Sequence, residues 1–141
     1  MTYKELLDKH SKEANEFSKD KIYFIFGSEE TVNQKINELG HTPKDFIYIG
    51  GGGYLLKEYE TEFNKLTDKQ AKEKKEYLLA NVYEVVNYYY WDYEVYISIN
   101  YDYNNILTEL LGMTPEEIEA NKDEINRARE DYIKEFEELN I

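Results

Sequence analysis

The chain has 141 residues, no cysteine, 41% apolar and 16% aromatic residues, and a net charge of −13. That length suits a single domain burying roughly 70% of its unfolded surface, and its apolar periodicity and ring content exclude a solvated coil. No cysteine means no disulfide or thiolate zinc site, and an acidic chain without a basic stripe is a poor binder of nucleic-acid phosphates or anionic membranes.

In chain order, Thr2 to Ser18 places Leu6, Leu7, His10, Ala14 and Phe17 on one helical face. Lys21–Phe26 (KIYFIF) is β-branched and aromatic and reads as a buried strand closed by Gly27. Ser28 suits an N-cap, with Glu29 and Glu30 in the first turn where the helix dipole favours them, and Gly40 suits the C′ position. Phe46–Ile49 is a second strand, stopped by Gly50–Gly53. Beyond the glycines, Leu55, Leu56, Tyr59, Phe63 and Leu66 recur at helical spacing, and Thr67 with Gln70 predicts a capping box that restarts the helix. A long apolar stripe then runs through Ala71, Leu78, Leu79, Val82, Val85 and Val86, with Tyr88–Trp91 ending that helix.

Residues 93–99 alternate Tyr93, Val95, Ile97 and Ile99 with Glu94, Tyr96 and Ser98, a half-buried strand pattern. Ile106, Leu107, Leu110 and Leu111 form a short helix ended by Gly112. Thr114-Pro115-Glu116-Glu117 is a strong helix start, and Ile118, Ile125, Tyr132 and Leu139 repeat every seven residues behind it. The expected fold is therefore a single α+β domain over residues 1–141. It is mostly helical, with a small sheet from 21–27, 46–50 and 93–99 and a long C-terminal amphipathic helix. That helix docks on the core or forms the seam of a weak homodimer.

Constellations that would carry catalysis or metal chemistry are weak. His10 and His41 are isolated, no serine sits in a nucleophile elbow, and no pair of carboxylates is singled out by spacing. Asn100, Asp102 and Asn104 match the start of a calcium loop, but Asn105 and Leu111 stand where glycine and glutamate are needed. Asp102 or Asn104 as an N-cap is the simpler reading. The Gly50–Gly53 turn lacks the Gly-Lys-Ser/Thr of a phosphate cradle, although Tyr48 and Tyr54 bracket it and would suit stacking on a base or sugar. The chain is thus expected to be non-enzymatic, with no catalytic, metal or cofactor residues. It has no run near the ~20 apolar residues of a membrane span, which predicts a soluble, cytoplasmic protein.

The charge distribution is the sharpest signal. Residues 1–91 hold sixteen acids against thirteen lysines, whereas 92–141 hold fourteen acids against four bases. From Glu76 to Asn121 there is no Lys or Arg, yet there are nine carboxylates, and eight of fifteen tyrosines lie between Tyr83 and Tyr103. Such a stretch suits a basic partner, because tyrosines add amphipathic contact area at low entropic cost. If 93–99 is a strand, Asp92, Glu94 and Tyr96 share its outer face, a spacing of charge and rings that mimics a nucleic-acid strand. On this reading Tyr88, Tyr90, Tyr93, Tyr96, Tyr101 and Tyr103 supply contact area, about half of the local tyrosines are exposed, and Asp92, Glu94 and Asp102 pair with Arg or Lys.

The segments FIFGSEE, IGGGGYLLKEY and YDYNNILTELLGMTPEEI resemble, as patterns over about residues 20–118, small uncharacterised acidic proteins of bacteriophages and other mobile elements. The resemblance implies an anti-CRISPR-like lifestyle in a host cytoplasm. The partner would then be the basic nucleic-acid-binding surface of a host defence protein such as a CRISPR effector. The alternative is a small-ligand or nucleotide-binding accessory protein using the Gly50–Gly53 turn.

Overall fold

The computed structural model describes residues 1–139, which fall into two compact units, Met1–Lys74 and Lys75 onwards. In the first unit, α1 (Tyr3–Ser18) opens on a capping box: Thr2 Oγ1 accepts the Glu5 N–H at 3.1 Å and the Glu5 carboxylate accepts the Thr2 N–H at 3.3 Å. Its apolar spacing buries Tyr3, Leu6 and His10. α2 (Glu29–Glu38) starts where Ser28 Oγ accepts the Thr31 N–H at 3.2 Å, and Gly40, at φ +81°, follows it in the left-handed region.

Three antiparallel strands, β1 (Ile22–Phe24), β2 (Phe46–Gly50) and β3 (Gly53–Leu56), form a sheet in the order β1-β3-β2. Gly51 and Gly52 have φ +58° and +79°, so β2 and β3 join through a two-residue turn with both central residues left-handed. Such a turn matches the natural strand twist and strongly prefers glycine. Ile25, Phe46 and Leu56 pack with Val32 and Ile36 of α2 as the core here, flanked by Tyr23, Tyr54 and Tyr59.

The α+β class, the small sheet and the long C-terminal helix are as expected, but the third strand is not residues 93–99. It is Gly53–Leu56, which the sequence reading assigns to a helix. Leu55 and Leu56 sit at helical spacing with Tyr59 and Phe63, yet the preceding turn delivers them directly alongside β2, where backbone pairing prevails. The helix begins only at Glu60, as α3 (Glu60–Ala80), and runs unbroken past Thr67, whose hydroxyl donates to the Asn64 carbonyl instead of capping a new start.

The second unit is helical. Asn81, at φ −141° and ψ 50°, interrupts the apolar stripe, and α4 (Val82–Asp92) follows. Glu94 has φ +47°, which no strand accommodates, and the chain turns tightly there: Glu94 N–H donates to Trp91 O at 3.2 Å, Val95 to Tyr90 O at 3.2 Å and Ile97 to Glu94 O at 3.0 Å. Val95 is buried, but Ile97 and Ile99 are exposed, so their alternation with polar residues reflects no sheet face.

Asp102 Oδ1 accepts the Asn105 N–H at 2.8 Å and caps α5 (Tyr103–Asn105), which leads into a wide helical turn over Ile106–Leu110. Thr114 and Glu117 form the expected capping box for α6 (Pro115–Ala120). The predicted single helix breaks at Asn121, and α7 (Lys122–Leu139) packs along α4 with Ile125, Ala128 and Tyr132 buried. Ile118 is half-buried and Leu139 exposed, so the heptad continues at neither end.

Candidate functional site

Helical geometry sorts the acidic, tyrosine-rich stretch. On α4, Val82, Val85, Val86 and Tyr90 share one buried arc, because residues three, four and eight apart fall on one helical face. Tyr90 is 0% exposed and cannot meet a partner, which corrects its expected role. Its ring meets Tyr103 edge-on at 5.0 Å, and Tyr132 of α7 gathers Tyr90, Trp91, Tyr103 and Phe136 around itself at 4.8–6.4 Å. Much of the ring content is thus the core of this unit.

Of the other expected contact residues, Tyr96 is exposed, while Tyr88, Tyr93, Tyr101 and Tyr103 are half-buried. Tyr96 stacks on Phe136 at 4.5 Å, and its hydroxyl donates to Glu137 at 3.3 Å. Tyr93 stacks on Tyr89 and leans on Tyr101 at 5.1 Å. Asp92, Glu94 and Asp102 are all exposed, but Asp102 is committed to its cap and the three lie on no common strand. The expectation that half of these tyrosines lie open is therefore too generous. Each ring finds another ring, which spares the surface their apolar area.

One continuous feature survives on the opposite side of α4. Tyr83, Glu84, Asn87, Tyr88, Trp91 and Asp92 line a shallow groove of about 560 Å³. Two anchors to α7 fix its edge: Tyr83 Oη donates to Asp131 at 2.5 Å, and Asn87 Nδ2 donates to the Ala128 carbonyl at 3.3 Å. Ala128 is completely buried, and a bulkier side chain there would hold the two helices apart. Glu84 also receives the Tyr77 hydroxyl. The Arg127 guanidinium lies 4.4 Å from the Tyr83 ring centre, and Arg129 lies 4.3 Å from that of Tyr103.

The hydrogen bond to Asp131, with burial second, pushes the Tyr83 phenol up to about 12. Burial also raises Tyr90, Tyr93, Tyr103 and Tyr132, so these phenols are neutral at physiological pH and the charge here comes from carboxylates. From Lys75 to the end of the chain there are sixteen acids and five Lys or Arg. The groove therefore offers rings and carboxylates in a strongly negative field. Sequence reasoning found Tyr88 and Asp92 but missed Tyr83, Glu84, Asn87 and Trp91. Their signal was present as the 83, 87, 91 and 84, 88 spacing opposite the valine arc.

Two constellations lie in the first unit. The glycine turn brings Tyr48 and Tyr54 within 5.1 Å of each other, as its bracketing tyrosines suggest. The Gly52 N–H donates to Tyr48 Oη at 3.2 Å, so the turn spends that donor on the protein itself.

Elsewhere in that unit, His10, Glu13 and Glu73 bring potential metal ligands within 4.8 Å of one another across α1 and α3. Ammonium groups already serve those carboxylates. Lys69 Nζ lies 3.1 Å from Glu13 and 3.6 Å from Glu73, and Lys9 Nζ lies 3.3 Å from Glu73. His10 Nε2 meets Glu73 at 3.0 Å, a bond that holds the Glu73 carboxyl below its ordinary value. The chemistry is that of an ion-pair network joining two helices.

The molecule is thus an α+β protein whose helical unit presents an acidic, ring-lined groove. Over residues 2–135 the chain matches the model of a family of unknown function (DUF7659), and it belongs to that family. No curated protein and no solved structure matches it. No helix among the described residues is long and apolar enough to cross a membrane.

Proposed function

We propose that the protein is a non-enzymatic binding module whose helical unit grips a basic surface of another protein through the α4 groove. The supporting observation is the groove itself: Tyr83, Tyr88 and Trp91 lie beside Glu84 and Asp92, in a stretch without Lys or Arg from Glu76 to Asn121. Guanidinium groups stack on aromatic faces and pair with carboxylates at the same time. The unit already uses that chemistry internally, with Arg127 over Tyr83 and Arg129 over Tyr103.

Fluorescence anisotropy with a labelled oligo-arginine peptide tests this directly. Binding is expected at low salt and fades as ionic strength rises, because screening acts on exposed charges. Asp92→Lys and Tyr88→Ala should each weaken it about tenfold, equivalent to about 1.4 kcal/mol. Unaltered affinity in both variants, with the helical fold intact, removes the proposal.

The more specific form makes the partner surface the nucleic-acid-binding face of a host defence protein, in the manner of an anti-CRISPR inhibitor. The protein then competes with the guide or target strand. Loss of target binding by a purified CRISPR effector on adding the wild-type chain, but not the Asp92→Lys variant, supports that form. Undisturbed target binding removes it and leaves the basic-partner reading to the peptide experiment.

A further inference from the structure

Each strand of the small sheet contributes one tyrosine to a single row. Tyr23 on β1 and Tyr48 on β2 are both register partners of Tyr54 on β3. Directly opposed residues share a sheet face, so the three tyrosines form one row across it, with the Tyr48 and Tyr54 rings 5.1 Å apart and the Tyr23 ring edge-on to Phe46. That face is the one covered by α2, because Phe46 and Leu56, two residues away on their strands, pack against Val32 and Ile36.

Beside the row, α2 and the sheet leave a cleft of about 470 Å³, within the roughly 300–1,000 Å³ typical of small-molecule sites. Val32, Ile36 and Phe46 form its floor and Tyr48 and Tyr54 its aromatic wall, with Glu29 and Asn33 bringing carboxylate and amide groups to it. Cross-strand pairing accounts for the alignment of the tyrosines but not for an open cleft beside them. Tyr48 is 60% exposed yet held, because its hydroxyl takes the Gly52 N–H. A fixed, exposed ring costs little further entropy when a planar ligand stacks on it.

We infer that this cleft binds a small planar nitrogen heterocycle or aromatic amine, neutral or cationic, that carries no phosphate. The apolar floor and the tyrosine pair suit a flat ring, and Glu29 and Asn33 suit ring N–H or ammonium donors. Phosphate is rejected on two counts. Glu29 and Glu30 fill the first turn of α2, where an anion would otherwise be welcomed, and Ser28 already takes the Thr31 N–H. The Gly50–Gly53 turn, which the sequence offers as the binding element, does not line the cleft. The inference is independent of the α4 groove.

The test is titration of the full chain with adenine, adenosine, AMP and tryptamine, followed by backbone amide chemical shifts. Adenine, adenosine and tryptamine should each give saturable shifts centred on Gly27, Asn33 and Tyr54, and AMP should bind at least about tenfold more weakly than adenosine. Tyr54→Leu, which keeps an apolar residue in the strand, should abolish the shifts. Glu29→Gln, a near-isosteric change at an exposed position, should weaken tryptamine more than adenine. The inference is overturned by the absence of saturable shifts at the cleft, by equal binding of AMP and adenosine, or by unchanged binding in Glu29→Gln together with a folded Tyr54→Leu.

Discussion

The Tyr132 hydroxyl oxygen accepts the backbone N–H of Tyr96 at 2.9 Å, joining the buried side of α7 to the tight turn that follows α4. The same ring touches Tyr90, Trp91, Tyr103 and Phe136. One side chain therefore fills the core and satisfies a part-buried donor. Tyr132→Phe should cost about 1–3 kcal/mol, since the Tyr96 N–H is left without its acceptor. Tyr132→Ala should cost about 3–5 kcal/mol through the added cavity. Urea unfolding monitored by circular dichroism measures both, and a Phe variant as stable as the parent would show the hydrogen bond to be idle.

Tyr90 should behave oppositely. It is completely buried, and its hydroxyl meets no hydrogen-bond partner among the described residues. A buried polar group in that position is a cost rather than a support. Tyr90→Phe is expected to match or exceed the parent's stability, by up to about 1–3 kcal/mol. A loss of stability would contradict this account.

The glycine turn yields a cycle of variants. A Cβ on Gly51 meets nothing within 4 Å, whereas one on Gly52 falls 2.4 Å from the Phe26 ring. Both positions have positive φ, so alanine at either costs about 1 kcal/mol in backbone strain. Gly52→Ala should cost more than Gly51→Ala, and the excess should vanish when Phe26 is also replaced by alanine. An excess that persists without Phe26 would place the clash elsewhere.

Acid stability should depend on Glu73. Its hydrogen bond to His10, joined by those from Lys9 and the nearby Lys69 charge, depresses its folded-state pKa below the ordinary 4.5. A depressed carboxyl stabilises the fold fully above pH 4.5, and that stabilisation is lost as pH falls through the lower folded value, because the unfolded chain takes the proton first. The stability gap between the parent and Glu73→Gln should therefore be widest near neutrality and shrink below pH 4.5. Urea midpoints across that range read it, and a gap independent of pH would exclude the linkage.

At alkaline pH the sign reverses. Tyr83 is raised to about 12, first by its hydrogen bond to Asp131, and Tyr90, Tyr103 and Tyr132 are raised by burial from their ordinary 10. Neutral phenols favour the folded state, so their contribution is complete below pH 10 and declines above it. Tyrosinate absorbance should rise in step with loss of helical circular dichroism. Ionisation of all fifteen tyrosines without unfolding would refute the buried-ring core.

What the sequence determined by itself is local. Ser28, Thr114 and Asp102 cap helices because a short oxygen-bearing side chain reaches N–H groups two or three residues ahead, and Gly40 and Gly112 take the left-handed φ that ends a helical segment. The excess of carboxylates after Lys75 is likewise a property of the chain itself. Tertiary structure alone decided which rings face inward. Val95, Ile97 and Ile99 alternate as a strand would, but with no strand beside them among the described residues and Glu94 at positive φ, the pattern describes a turn. Leu55 and Leu56 repeat as a helix would, yet a two-glycine turn lays them against β2. The tyrosines between Tyr83 and Tyr103 carry no mark of inside or outside, because a phenol suits both. The position of Tyr132, more than thirty residues later, made Tyr90 core, while helical spacing left Tyr83 and Tyr88 lining a groove.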